Sequence, residues 1–237
     1  MKERPNETAS TADFEFSALA EARNYPRALM REFAPYLKGR VIEIGGGIGQ
    51  MSTLLKQVPT IEKLLSIEPD ARFCEVFKKN HPGQELICGT IDDVPAQTDW
   101  DALFSVNVLE HIREDELELS KYKKLLSTRR GTVNLFVPAR QEIYAPIDKD
   151  FGHHRRYSKA ELKQKLEAAG FEIVRLKYFN CVGYFAWWLN FCVLRQRKFK
   201  PGSVRTFDRV IFPVVNWTET NIMAPPFGQS LVAVARA

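Results

Sequence analysis

A chain of 237 residues with 45% hydrophobic content can bury one sizeable core, and no apolar run reaches the roughly 18 residues that cross a bilayer; Val182 to Leu194 is interrupted by Asn190. The four cysteines, Cys74, Cys88, Cys181 and Cys192, form no C-x-x-C pair and sit in apolar segments, which predicts reduced, buried thiols and indicates neither a disulfide frame nor a zinc site. The net charge of +5 owes much to Arg195, Arg197, Lys198, Lys200, Arg205 and Arg209, a cluster suited to a phosphate-bearing acceptor, an anionic membrane surface or simply a solvated face.

The polar opening, about residues 1–20, reads as a mobile terminus without the apolar core of a secretion signal, so a cytoplasmic protein is expected. A helix follows from Pro26 to Leu37, with proline at its first position and Leu29, Met30, Phe33 and Leu37 on one side. Short apolar runs then alternate with amphipathic stretches. Val41–Ile44, Leu64–Ile67, Leu86–Cys88, Ala102–Val106 and Val133–Val137 read as buried parallel strands, with helices near Met51–Gln57, Ala71–Lys79 and Glu114–Leu126. Ser158-Lys159-Ala160-Glu161 is a capping box, Leu162 and Leu166 lie four apart, and Gly170 marks the helix end. Phe171–Tyr178 and Ser230–Ala235 complete seven strands.

This pattern is α/β: a doubly wound, mostly parallel seven-stranded sheet forming a single domain over 1–237. Residues 179–229 form a long aromatic connection between the last two strands. It leaves the sixth strand on the edge where such sheets bind ligands, and is expected to be a helical lid over the acceptor pocket, with Trp187 and Trp188 facing the acceptor.

The central motif is Val41-Ile42-Glu43-Ile44-Gly45-Gly46-Gly47-Ile48-Gly49, a buried strand running into four glycines and a helix. Gln50 stands where G-x-G-x-x-G counted from Gly45 needs glycine, and no Lys-Ser/Thr pair completes a P-loop. The second strand ends in Glu68-Pro69-Asp70. A carboxylate there accepts hydrogen bonds from both hydroxyls of a ribose, while Asp70 fits a helix cap. The third and fourth strands end in Gly89-Thr90-Ile91-Asp92 and in Asn107-Val108-Leu109-Glu110-His111.

The order VIEIGGGIG, SIEPD, GTIDDVP and FSVNVLEHI, followed by GHHRRYS, AAGFEIV and PPFGQSLVAVARA, resembles class I S-adenosylmethionine-dependent methyltransferases, in particular the bacterial stand-alone group with a V-L-E-H-I fourth-strand motif. The resemblance covers about residues 20–237 and implies a Rossmann-like methyltransferase fold with S-adenosylmethionine as cofactor. It places Glu43, Gly45, Gly46, Gly47 and Gly49 around the methionine part, Glu68 with Pro69 at the ribose, Thr90, Ile91 and Asp92 along the adenine, Asn107 and Val108 near the methionine, and Tyr25 folded over the cofactor. Many relatives carry an acidic residue where this chain has Thr90, so Asp92 is the candidate for the adenine amino group.

On the acceptor side, His153, the first histidine of G-H-x-R-R-Y, is the leading candidate base, Asp148 either shares that role or orients it, and His111 faces the acceptor or bonds to backbone. An imidazole with an ordinary pKa near ~6.5 can take the proton of an alcohol or phenol as the new bond forms. His81, in Asn80-His81-Pro82-Gly83, is expected at the surface. No metal is expected, because no third ligand accompanies the adjacent His153 and His154. The fourth strand lacks an N-P-P-Y-like tetrapeptide, so oxygen is the favoured acceptor atom of a small or medium-sized, sugar-, lipid- or natural-product-like molecule. Nitrogen or carbon transfer, a non-catalytic cofactor-binding protein and a nicotinamide oxidoreductase are the alternatives. No nucleic-acid partner is expected, peripheral membrane contact is compatible with the basic insertion, and nothing in the residues sets an oligomeric state.

Overall fold

The computed structural model describes residues 22–95 and 99–237; the expected mobile terminus, 1–20, lies outside these. The sheet has seven strands: β1 (Gly39–Ile44), β2 (Ile61–Glu68), β3 (Glu85–Cys88), β4 (Ala102–Val106), β5 (Thr132–Pro138), β6 (Glu172–Phe179) and β7 (Ser230–Arg236). Their order is β3-β2-β1-β4-β5-β7-β6, with β7 antiparallel to both neighbours and the other pairings parallel. The order reverses between β1 and β4, so their carboxyl ends diverge around a crevice, the usual ligand position in doubly wound sheets.

Alternation along the central strands feeds two cores. Ile42, Leu103 and Leu135 pack on one face with Leu119, Tyr122 and Leu126 of α4 (Asp115–Leu126) and Leu162 and Leu166 of α6 (Lys159–Ala168). Val41, Phe104 and Phe136 pack on the other with Leu29 and Phe33 of α1 (Asn24–Phe33) and Leu55 of α2 (Gln50–Leu55). The capping box at Ser158 forms as expected, its hydroxyl accepting the Glu161 N–H at 3.1 Å. Asp70 caps α3 (Ala71–Asn80) through the Arg72 N–H. Of the cysteines, only Cys74 is buried; Cys88 is exposed because β3 is a four-residue edge strand, and Cys181 and Cys192 are intermediate.

Two boundaries differ from the sequence reading. Helix α1 begins at Asn24, two residues before the proline, and passes into a 3-10 turn at Ala34–Tyr36. Its start is set from far away: the buried Asp208 carboxylate accepts the main-chain N–H groups of Arg23, Asn24 and Tyr25 at 2.8–3.1 Å. A short helix α5 (Pro146–Asp150), too brief for a periodic signal, follows β5.

The 179–229 connection is helical. α7 (Cys181–Trp187) continues as a π turn at Trp188–Val193, and α8 (Pro201–Thr206) passes through a second π turn at Phe207–Ile211 into α9 (Phe212–Asn221). Its inner side joins Trp187 and Phe191 to Ile143, Ala145 and Ile147 in a third small core. Glu219 accepts the N–H groups of Asn180 and Cys181 at 2.9 and 2.7 Å, and so holds α9 on the end of β6. Among the described residues no helix is long and apolar enough to cross a membrane.

Removing the Asp208 carboxylate leaves the N–H groups that open α1 without their acceptor. Asp208→Ala is expected to lower unfolding free energy by about 1–3 kcal/mol in urea titration, with Asp208→Asn recovering part of the loss; an unchanged midpoint would contradict this account of the α1 start.

Candidate active site

The chain turns at the end of β1 through glycines in the left-handed region: φ is +78° at Gly45, +54° at Gly47 and +91° at Gly49. A side chain on Gly45 would overlap the Val108 methyl group beyond β4, so glycine is required both by the turn and by the approach of the two strand tips. Asn107 opposite also has positive φ, at 53°, and donates its N–H to the Phe136 carbonyl at 2.8 Å. A Cβ on Gly49 would collide with the His81 ring. His81 is therefore not the surface residue its turn suggests: it is buried behind the loop, with Nε2 2.9 Å from the Gly49 carbonyl and Nδ1 3.3 Å from Lys56 Nζ. Burial and Lys56 hold its pKa below the ordinary histidine value.

Two buried carboxylates fix the loop. Glu68, at the tip of β2, accepts the Gly47 N–H at 2.8 Å and the Asp70 N–H at 2.9 Å, one on each oxygen. Burial raises its pKa while those two N–H groups oppose the rise. Each oxygen keeps lone-pair capacity for a further donor such as a hydroxyl. Glu43 lies beneath the glycines and accepts the Ser52 and Ser66 hydroxyls at 2.5 and 2.6 Å. Burial pushes it up to about 7, against the pull of both hydroxyls.

The crevice opens into a cavity of about 1010 Å³, room for a nucleoside-sized cofactor together with an acceptor. Glu43, Gly45, Gly46, Gly47, Glu68 and Pro69 line one end, joined by Asn107, Val108 and Tyr25. The Tyr25 ring packs edge-on to Phe179 and Phe136, and burial raises its phenol pKa. Four of the proposed cofactor residues stand outside this lining. Gly49 is behind the loop, and Thr90, Ile91 and Asp92 form a short capped turn after β3 in which Asp92 pairs with Lys121 at 2.6 Å. Gln50, Met51 and Phe73 also line the cavity, though no motif singles them out.

At the other end His111 and His153 face the cavity. His153 Nδ1 lies 3.0 Å from Asp148 Oδ1, and the completely buried Asp148 also receives Arg156 Nε at 2.9 Å and the Ala145 N–H at 2.8 Å. Burial acts to raise the Asp148 pKa, but His153 and Arg156 together hold it below the usual value. An Nδ1–H donated to this carboxylate leaves the Nε2 lone pair available. Nε2 stands 3.8 Å from Glu110 Oε1, and the His111 ring lies edge-on at 4.7 Å. Burial, with repulsion from His153 and His154, pushes His111 down to about 4. His154 is exposed and donates its main-chain N–H to the Glu110 carbonyl. The fold thus supplies a third group that sequence spacing did not show: Glu110, His111 and His153 each bring one ligand atom within 4.8 Å of the others, a set able to hold a cation.

Trp187 and Trp188 separate. Trp187 is buried, lines the cavity, donates Nε1–H to the Ile143 carbonyl at 3.1 Å and lies under the Arg156 guanidinium at 4.3 Å. Trp188 is 47% exposed and stands outside the lining, because adjacent helical residues point about 100° apart.

A family model described as a methyltransferase domain matches residues 18–176, well over half of the chain. The chain belongs to the methyltransferase-domain family. Solved structures show the same fold at low identity. A chain from the complex between the Haloferax volcanii Trm112 methyltransferase activator and its methyltransferase superposes with a TM-score of 0.65 at 16% identity, covering 100% of this chain and 99% of that one. A Bacillus halodurans methyltransferase gives 0.58 at 21% identity (89% and 97% covered), and an S-adenosylmethionine-dependent methyltransferase from Mesorhizobium loti gives 0.58 at 15% (88% and 95%). No curated protein matches the chain.

The raised pKa of Glu43 makes the stability of this methyltransferase pH-dependent. The folded state keeps a proton that the unfolded chain releases above 4.5, so the contribution is complete below that value and is lost as pH rises through about 7. Glu43→Gln is expected to flatten the fall in unfolding free energy between about pH 5 and about pH 8 by up to about 3 kcal/mol in denaturant titration, leaving the smaller slope of Glu68. An undiminished slope in the variant would place the titrating group elsewhere.

Proposed function

We infer that this methyltransferase transfers the methyl group of S-adenosylmethionine, in the cytoplasm, to an oxygen atom of a small or medium-sized, partly apolar acceptor. The carrying observation is that one cavity joins the glycine and Glu68 cradle to the His153–Asp148 pair. The cradle suits the cofactor: a left-handed turn at Gly45 and Gly47 that leaves main chain without side chains on the cavity wall, and a Glu68 carboxylate fixed by backbone donors with acceptor capacity to spare for ribose hydroxyls. When bound, the cofactor supplies an activated methyl group for in-line displacement, and the protein supplies position and exclusion of water.

The residues at the far end handle the proton. Asp148, kept ionised by Arg156, orients His153 so that Nε2 accepts the hydroxyl proton as the acceptor oxygen gains its methyl group. His111, pushed down to about 4, takes a proton poorly at neutral pH. The apolar wall of Phe151, Trp187, Phe191 and Phe207 suits an acceptor with a hydrophobic part.

Glu68→Ala is expected to weaken S-adenosylhomocysteine binding by about 10–100-fold in calorimetry, the loss of hydrogen bonds to a charged group. Binding equal to the parent would sink the cradle assignment. With methyl-labelled cofactor and a panel of alcohols and phenols, His153→Ala is expected to lower kcat by about 10²–10⁴-fold while cofactor affinity is kept; undiminished kcat would remove His153 as base.

The convergence of Glu110, His111 and His153 favours a second reading, in which a divalent cation held there polarises the acceptor oxygen. Turnover that persists after chelation supports the proton-acceptor reading. Turnover abolished by chelator and restored by Mg²⁺ or Mn²⁺ supports the cation.

A further inference from the structure

Among the described residues, fourteen large apolar side chains stand exposed, and eleven of them fall within residues 185–223. They lie on stripes. Along α7 and its π turn, Phe185, Trp188, Leu189 and Val193 face outward while Trp187 and Phe191 face the cavity. Along the second helical run Val210, Val214 and Trp217 face outward, whereas Phe212 is buried. A surface helix normally turns a polar stripe to water; these carry apolar residues on both sides. Helices α7 and α9 contact each other, which brings the two stripes onto neighbouring elements.

The charge on this segment has one sign. Residues 181–229 contain six basic residues, Arg195, Arg197, Lys198, Lys200, Arg205 and Arg209, and two acidic ones. Both acids are buried and committed to main-chain N–H groups, Asp208 at the start of α1 and Glu219 at the end of β6. All six basic residues are exposed, Arg197 being paired with Asp150 of α5. Lys198 and Lys200 line the cavity and Arg197 is paired with Asp150, so the charge left to the outer, apolar face is that of Arg195, Arg205 and Arg209, with no exposed carboxylate of the segment's own.

We propose that the outer face of the 181–223 segment docks on an anionic lipid bilayer, so that the acceptor is an amphiphile taken from that membrane. Exposed tryptophans and aliphatic side chains enter the headgroup boundary while arginine and lysine meet lipid phosphates, the two signals that together give stable peripheral attachment. A second copy of the chain is a poor occupant: an isologous contact sets the same patch against itself, and here that opposes like charges. The inner side of the same helices supplies Trp187, Phe191 and Phe207 to the cavity, so the bilayer surface lies one helix thickness from the acceptor end. The acceptor part of this proposal rests on the function inferred above; the docking part does not.

The test is vesicle flotation of the full chain without acceptor, using vesicles of phosphatidylcholine alone and of phosphatidylcholine with phosphatidylglycerol. The parent is expected to float with the mixed vesicles at least about tenfold more than with the neutral ones, and to be released by added salt. Trp188→Ser with Trp217→Ser, and separately Arg195→Glu with Arg209→Glu, are expected to reduce flotation at least about tenfold while S-adenosylhomocysteine binding, which reports folding, stays at the parent's value. Three results overturn docking: no flotation of the parent, equal flotation with neutral vesicles, or variants that float as the parent does. A parent that sediments as a dimer, with the tryptophan variant monomeric, also overturns it and assigns the face to a second copy. Flotation without S-adenosylhomocysteine binding would instead sink the methyltransferase site and leave the docking surface standing.

Discussion

Buried carboxylates that accept main-chain N–H groups hold the walls of the cavity in place. Glu68 ties Gly47 to the tip of β2, Asp148 ties Ala145 to the His153 loop, Asp208 ties the start of α1 to the insertion, and Glu219 ties the end of β6 to α9. Each exchanges the hydration of an anion for charge-assisted hydrogen bonds to donors that would otherwise be unsatisfied at a turn or helix start. Asp208 fastens the 179–229 segment to α1, 183–185 residues away along the chain, and Glu219 folds α9 back onto the residues that follow β6.

The two ends of the cavity are electrostatically distinct. The cofactor end contains Glu43 and Glu68, whose burial raises their pKa, under a loop lined by peptide groups. At the acceptor end the Asp148 charge is compensated by Arg156, whose guanidinium lies on the Trp187 face, and the same carboxylate oxygen stands at hydrogen-bond distance from His153 Nδ1. That stacking links the cation held by Asp148 to the insertion, so the carboxylate that orients the imidazole and the apolar wall share the Arg156 side chain.

Much of the fold was legible because its signals are local. Strands buried on both faces are continuous apolar runs, and the 159–168 helix carries its own cap. Glu43, Gly45, Gly47 and Glu68 could be singled out because strand tips followed by glycine or a carboxylate have few other uses. What escaped depends on partners distant in sequence. The α1 start is set by Asp208, and His81 looks like a surface turn residue until the Gly49 carbonyl is placed beside it. Glu110 reads as one letter of a strand motif until the loop after β5 brings His153 to it. Trp187 and Trp188 were indistinguishable because aromatic enrichment says nothing about helix phase, and a π turn begins between them.

Those π turns bear on how the segment can change over time. Each accommodates a residue beyond the ordinary helical repeat, so loss of one residue from either restores an ordinary helix while the turns on both sides keep their facing. Elsewhere in these helices an indel turns all that follows by about 100°, so the two π turns are the places where the segment can lose a residue without exchanging its inner and outer surfaces.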